Sequence, residues 1–190
     1  MDNFLTVIYG SKQTVFTSME IALLISEKSM DNLKSKLSYY VKTGKLIRLR
    51  RGLFAKNGSY NKNELAVRIY TPAYVSFETV LAREGVIFQY YESLFVASYL
   101  TRDISVRENK ITYRKLKHEV LTNRKGLIDR GYYFEATKER AFLDRLYLFP
   151  DYFFDNLRGI DWRICNEIVP IYKSEKLRKT LERYEKEYAH

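Results

Sequence analysis

Between Asn32 and Asn63 the chain carries Lys34, Lys36, Lys42, Lys45, Arg48, Arg50, Arg51, Lys56 and Lys62, with no Asp or Glu among them. Ammonium and guanidinium groups at this density neutralise oxyanions, and the guanidinium fork matches a phosphate in two bonds at once. Interleaved with them stand Asn32, Ser35, Ser38 and Tyr39. Their side chains reach base edges or phosphates when presented outward, and an asparagine amide pairs with adenine. A solvated face normally mixes signs to limit self-repulsion, so a one-sign run that still folds points to a polyanionic partner. The alternative is a basic surface that serves solubility alone.

Chemistry of this kind needs elements that aim it. Leu33, Leu37 and Tyr40 fall at i, i+4 and i+7, with Met30 and Val41 beside them, so the spacing predicts a helix over residues 30–43 with one apolar face. Ser29 is its N-cap, Asp31 supports its N-terminus through the dipole, and Gly44 stops it. Ile47 and Leu49 then alternate with Arg48 and Arg50, which is strand period, and Arg51-Gly52 turns the chain into Leu53-Phe54-Ala55. A basic hairpin thus follows a basic helix directly. Upstream, residues 3–10 read as a first helix. Thr17 with Glu20 three residues on is a capping box that opens a second helix, with Ile21, Leu24 and Ile25 inward, ending near Lys28. Three helices and a basic hairpin are the order of a winged helix-turn-helix, in which the second helix of the motif enters the major groove. Lys34, Lys36, Lys42, Lys45, Arg48 and Arg50 are then the phosphate contacts. Asn32, Ser35, Ser38 and Tyr39 are the outward groove contacts, and Arg50 or Arg51 on the wing is placed for the minor groove. Tyr39 has an alternative role, packing against the first domain's own helices.

The wider composition agrees. The chain has 190 residues, a formal net charge of +10 and 46% hydrophobic residues, enough for a core. Residues 1–63 hold 11 basic and 4 acidic side chains against 22 and 19 in the remainder, so the excess charge sits where the helix and hairpin are. The 17 Tyr and 11 Phe read mainly as core filling. Cys165 stands alone, which excludes an internal disulfide and fits a reducing compartment. No apolar window of about 18 residues exists, so no membrane span is expected. The first residues lack a basic lead followed by a long apolar run, so a cytoplasmic protein is expected.

Asn57 to Asn63 is a polar, turn-rich break. It divides the chain into a DNA-binding domain, 1–58, and a second domain, 64–190, of mixed α/β content ending in a helix, an α+β protein overall. In the second domain residues 64–70 read as a short helix, Tyr74-Val75 as a strand, and Ser76 as the cap of a helix over 77–83 closed by Gly85. Residues 94–100 read as a strand, 104–107 and 110–113 as a hairpin, 117–121 as a further strand of the sheet and 132–134 as another. Thr137 caps a helix over 139–148. Ser174 caps a last helix with Leu177, Leu181, Tyr184 and Tyr188 near one face, read as a surface helix packed on this domain; a dimer-forming helix is the alternative.

Catalytic groups are sparse. Cys165 has no histidine near it in sequence, and His118 and His190 with one cysteine do not make a zinc set. There is no glycine-rich phosphate loop. Glu139 and Asp144, five apart, do not share a helix face well and read as helix surface. No cofactor, metal or catalytic residue is expected.

Three stretches carry a family likeness: Gly44-Lys45-Leu46-Ile47 with Arg51-Gly52-Leu53-Phe54; the run 72–81, PAYVSFETVL, followed by Gly85-Val86-Ile87; and the run 136–147, ATKERAFLDRLY. In order and spacing the chain resembles the AbiEi-like antitoxin and transcriptional-regulator family of abortive-infection type IV toxin–antitoxin systems. Arg140 stands where that family's pattern has Lys, and Phe142 where Leu is usual. The resemblance implies a repressor that binds its own promoter, and an antitoxin whose second domain counteracts a nucleotidyltransferase-like toxin encoded nearby. Other classes are an interaction module for an acidic protein or RNA, and an enzyme that modifies the toxin.

Overall fold

A computed structural model describes residues 3–188; His190 lies outside the described residues. The first unit runs α1 (Asn3–Gly10), β1 (Val15–Thr17), α2 (Ser18–Leu24), α3 (Met30–Lys42), β2 (Ile47–Arg50) and β3 (Leu53–Ala55). Local chemistry sets its helix starts. The Thr17 side chain accepts from Glu20 N, and the Glu20 carboxylate accepts from Thr17 N at 2.7 Å, closing the expected capping box. Ser29 accepts from Asn32 N at 3.3 Å and opens α3. Leu33, Leu37 and Tyr40 are buried against Phe4, Ile8, Phe16, Ile21 and Phe54, and the Phe4 and Tyr40 rings stack at 4.1 Å.

Three features differ from expectation. Leu24, read as inward, is 43% exposed, and only Ile21 and Ala22 of the second helix are buried. The second helix stops at Leu24, not near Lys28, because Ser26 adopts φ 54 and Glu27 N turns back to Ala22 O. Val15-Phe16, unassigned above, forms β1, antiparallel to β3 with Phe16 opposite Phe54, giving the sheet order β1-β3-β2.

The second unit contains α4 (Lys62–Ile69), β4 (Ala73–Val75), α5 (Glu78–Arg83), β5 (Leu94–Ser98), β6 (Arg102–Val106), β7 (Asn109–Lys115), α6 (His118–Leu121), β8 (Leu127–Asp129), β9 (Phe134–Ala136), α7 (Lys138–Leu148), α8 (Trp162–Ile168), a 3-10 turn (Val169–Tyr172) and α9 (Glu175–Tyr188). Its strands form one mixed sheet in the order β6-β7-β5-β4-β9-β8. β5 shows why the sheet is apolar on both sides. Phe95 and Ala97 face the core built by α5, α7, α8 and α9, whereas Leu94 and Val96 face a second core shared with the first unit. No described helix is long and apolar enough to cross a membrane.

That second core crosses the polar break. Val15, Leu49, Leu53 and Ala55 pack with Leu65, Ala66, Val96, Ile111 and Tyr113. The buried Glu64 carboxylate fastens the seam, accepting from Thr14 N at 2.8 Å, Thr14 Oγ1 at 2.9 Å and Val15 N at 3.0 Å. Glu64→Ala orphans these donors and is expected to cost about 3 kcal/mol in a urea titration, with Glu64→Gln costing less because one acceptor oxygen remains.

Several readings of the second unit need correction. Residues 117–121 are not a strand: the ladder closes with Leu116 N donating to Ser98 O, and the chain coils into α6, burying Val120 and Leu121. The strand expected at 132–134 lies at Phe134–Ala136, since residues 130–133 turn the β8–β9 hairpin, with Gly131 N on Asp129 Oδ1 at 2.7 Å. Ser76 does not cap α5. Phe77, at φ 54, occupies the cap position without a side-chain bond, and Ser76 Oγ donates to Asp144 at 2.7 Å. The last helix does pack on this unit, through Leu177, Leu181 and a Tyr184 hydroxyl donated to Tyr152 O at 2.9 Å.

The largest correction concerns α7. Glu139 and Asp144 are not helix surface: Glu139 is 5% exposed, and Asp144 and Arg140 are 0% exposed. Asp144 accepts from Arg140 Nε at 3.2 Å, Tyr74 OH at 2.8 Å, Ser76 Oγ at 2.7 Å and Tyr172 OH at 2.6 Å. Arg140 also donates to the Lys125 and Val120 carbonyls, both at 2.7 Å, and to Tyr74 OH at 2.9 Å. Burial pushes the Tyr74 and Tyr172 phenols well above their ordinary value, so both remain donors. Gly126, at φ +74, passes so close that an added Cβ would lie 2.7 Å from Ile168 Cδ1 and 3.0 Å from Arg140 Cβ.

A second buried acid, Glu135 in β9, accepts from Arg83 Nη1 at 2.7 Å and Nη2 at 2.9 Å and from Arg130 Nη2 at 2.9 Å. Burial raises its carboxyl, but the two guanidinium groups outweigh burial and hold it below the ordinary 4.5. The folded value is therefore lower than the unfolded one. The stabilisation is complete above the ordinary range and lost as pH falls through the folded value. Glu135→Gln should lower the unfolding free energy from a urea titration at neutral pH by about 2 kcal/mol, and the gap from wild type should close on acidification below the ordinary carboxylate range.

Candidate nucleic-acid interface

Every side chain singled out in the basic run, namely Asn32, Lys34, Ser35, Lys36, Ser38, Tyr39, Lys42, Lys45, Arg48, Arg50 and Arg51, is exposed. They do not form one uniform surface. Lys34, Ser38 and Lys42 stand at i, i+4 and i+8 on the flank of α3 that faces the hairpin. With Leu37 and Val41 they line a cleft of about 270 Å³ to which Ser18, Arg48 and Phe54 also contribute. Helix and hairpin therefore present their cations to a common space. The Arg48 guanidinium lies over the Phe54 ring, 5.9 Å from its centroid, which fixes it at the cleft wall.

Asn32, Ser35 and Tyr39, at i, i+3 and i+7, form a separate exposed stripe. Tyr39 is 57% exposed and meets the Tyr40 ring edge-on at 5.3 Å, so its own domain does not bury it. The amide of Asn32 helps hold the Glu27 carboxylate.

Acids from just outside the one-sign run reach into it. Lys34 Nζ lies 3.0 Å from Asp31 Oδ1, and Lys36 Nζ lies 2.6 Å from Glu27 Oε2. The Lys36 hydrogen bond, followed by the Ser29 N–H, holds the Glu27 carboxyl below the ordinary range. Such surface pairs contribute little and exchange readily for another anion.

The β2–β3 hairpin splits its arginines. Arg48 pairs with Phe54 but Arg50 with Leu53, a bulge at Leu49 that turns Leu49 into the core. The Arg50 guanidinium consequently lies over the Tyr70 ring, 5.9 Å from its centroid, beside Arg102, whose Nη1 donates to Tyr70 OH at 3.1 Å. That bond holds the Tyr70 phenol below its ordinary value, with a smaller contribution from Arg50. Arg107 Nη2 donates to Arg48 O at 3.3 Å. Arg51 occupies the exposed turn, and Lys45 is exposed while its carbonyl accepts from Tyr9 OH at 3.0 Å. Ser18, Phe54, Arg102 and Arg107 were not singled out in the sequence. Phe54 reaches the cleft through its pairing with Arg48 and Ser18 through the pairing of β1 with β3, and the two arginines belong to a hairpin that begins 47 residues after the end of β3.

Away from this face, Cys165 is buried, and burial pushes its thiol up, so it stays neutral. His118 is exposed. Among the described residues no three His, Cys, Asp or Glu side chains gather as a metal site. Compared with known proteins, the sequence matches no family model and no curated relative.

Proposed function

We propose that the chain is a DNA-binding repressor that reads duplex DNA through α3 and the β2–β3 hairpin, as a winged helix-turn-helix does. The observation that carries this reading is the common cleft, in which Lys34, Ser38 and Lys42 of α3 face Arg48 of the hairpin. The element order and the β1-β3-β2 sheet support it, since they set the exposed flank of the last helix beside a basic hairpin. Lys42 and Arg48 then neutralise phosphates flanking the groove, Ser35 and Tyr39 meet base edges or phosphates, and Arg51 at the turn tip reaches the adjacent backbone. The proposed partner is the promoter of its own operon, and the proposed compartment is the cytoplasm.

A gel shift with the DNA upstream of its own gene tests this. A shift that survives excess unrelated duplex and weakens as salt rises supports repression. Equal retention of any duplex overturns it. The antitoxin role, counteracting a nucleotidyltransferase-like toxin, rests on the family resemblance of residues 72–87 and 136–147. It is checked by co-expression: rescue of growth from such a toxin encoded beside this gene is expected, and no rescue removes the role.

A further inference from the structure

Helix α4 is seated in the second unit, but its polar face holds the first. Leu65 and Ala66 pack in the shared core, Val67 packs in the core built by α5, α7, α8 and α9, and Tyr113 OH donates to Ala66 O at 2.7 Å. Glu64 and Arg68 stand at i and i+4, on one face of the helix. Glu64 fixes Thr14 and Val15 at the start of β1. Arg68, whose side chain is 15% exposed, donates from Nη1 to Glu20 Oε1 in α2.

Glu20 is also the acid of the capping box. Its other oxygen, Oε2, accepts from Thr17 N at 2.7 Å and from Thr17 Oγ1 at 3.1 Å. One carboxylate therefore joins α4 to the junction of β1 and α2. That junction is tied in turn to the basic hairpin: Thr17 stands opposite Leu53, and Ser18 N donates to Gly52 O at 3.0 Å in the hairpin turn. Ser18 also lines the cleft shared by α3 and Arg48. Arg68 does not line that cleft. It lines a separate hollow of about 410 Å³, with Gln13, Thr71, Asp129 and Tyr132, and its charge is met by Glu20.

We propose that Arg68 is a positioning residue for DNA recognition, acting through Glu20; this rests on the reading of the chain as a repressor. By holding the β1–α2 junction, Arg68 fixes the hairpin turn relative to α3, so that the cations of the two elements keep the spacing one duplex geometry requires. Losing the link leaves every cation of the cleft in place but loosens the distance between the elements that carry them. Neutralisation of phosphates then survives, and discrimination between duplexes falls.

Fluorescence anisotropy at several salt concentrations tests this, with the duplex from upstream of its own gene and an unrelated duplex, on the wild type, Arg68→Ala and Arg68→Lys, each first checked for a cooperative thermal melt. Arg68→Ala should bind its own promoter about tenfold more weakly. Its affinity for the unrelated duplex should stay within about twofold, and the salt slope should not change, because no phosphate contact is lost. Arg68→Lys should recover most of the preference. The link uses one N–H of the guanidinium, which an ammonium also supplies, and the buried Nε has no hydrogen-bond partner among the described residues. A wild type that holds both duplexes equally removes the repressor reading itself. A wild type that prefers its own promoter, with that preference intact in Arg68→Ala, overturns the positioning role alone. So does a loss that Arg68→Lys leaves in full, or a slope lowered by about 0.9, the mark of a direct phosphate contact.

Discussion

Asp144→Ala is expected to be the most destabilising single substitution outside the apolar core, costing about 3–5 kcal/mol and lowering the melting temperature by about 10 °C. The carboxylate takes four hydrogen bonds from β4, α7, the residue after β4 and the 3-10 turn, and none of these donors has access to water. Removing it leaves the Arg140 guanidinium as a buried charge without its counter-ion, and leaves the Ser76 and Tyr172 hydroxyls without an acceptor. Arg140→Met is expected to be milder at the acid, because three hydroxyl donors still hold Asp144, although the Lys125 and Val120 carbonyls lose their partner. The double change Asp144→Ala with Arg140→Met should recover part of the loss, since it removes the unpaired charge altogether. Differential scanning calorimetry checks all three. A double variant that loses the sum of the single losses would show that the two side chains act independently, against the network described.

The second large effect concerns the cleft between α3 and the hairpin. Lys34→Ala, Lys42→Ala and Arg48→Ala together should weaken duplex DNA binding by roughly two to three orders of magnitude at about 0.1 M salt, and lower the slope of log affinity against log salt by about 2.7. The three side chains are exposed and outside the buried clusters, so stability should stay within about 0.5 kcal/mol for each site. Arg50→Ala is the internal comparison. Its guanidinium lies over Tyr70 beside Arg102 instead of lining the cleft, so it should cost less affinity than Arg48→Ala. Fluorescence anisotropy with a labelled duplex at several salt concentrations measures both quantities. Equal losses for Arg48→Ala and Arg50→Ala would show that the bulge does not divide the hairpin.

What was legible in the sequence was local. The Thr17–Glu20 box, the Ser29 cap and the i, i+4, i+7 stripe of α3 each close within one or two turns, so spacing alone located them. What was missed depends on distant partners. Val15-Phe16 is a strand because Phe54 and Ala55 lie beside it, and three residues are too few to show a period. Ser76 read as a cap because its position suited one, but its hydroxyl belongs to Asp144, 68 residues on. The charged residues of α7 were misread for a related reason: periodicity reports which residues share a face, and charge suggests water, yet Arg140 and Asp144 compensate one another out of solvent. In the basic run the residue types and exposure were legible, while the neutralising reach of Glu27 and Asp31 and the parting of Arg48 from Arg50 at a one-residue bulge were not.

The measurement that bears most directly on the central claim is hydrogen–deuterium exchange of the full chain with and without duplex DNA from upstream of its own gene. Slowed exchange concentrated in α3 and β2, with the α7 core unchanged, is the result this account predicts. Protection confined to the second unit, or none at saturating duplex, would contradict it.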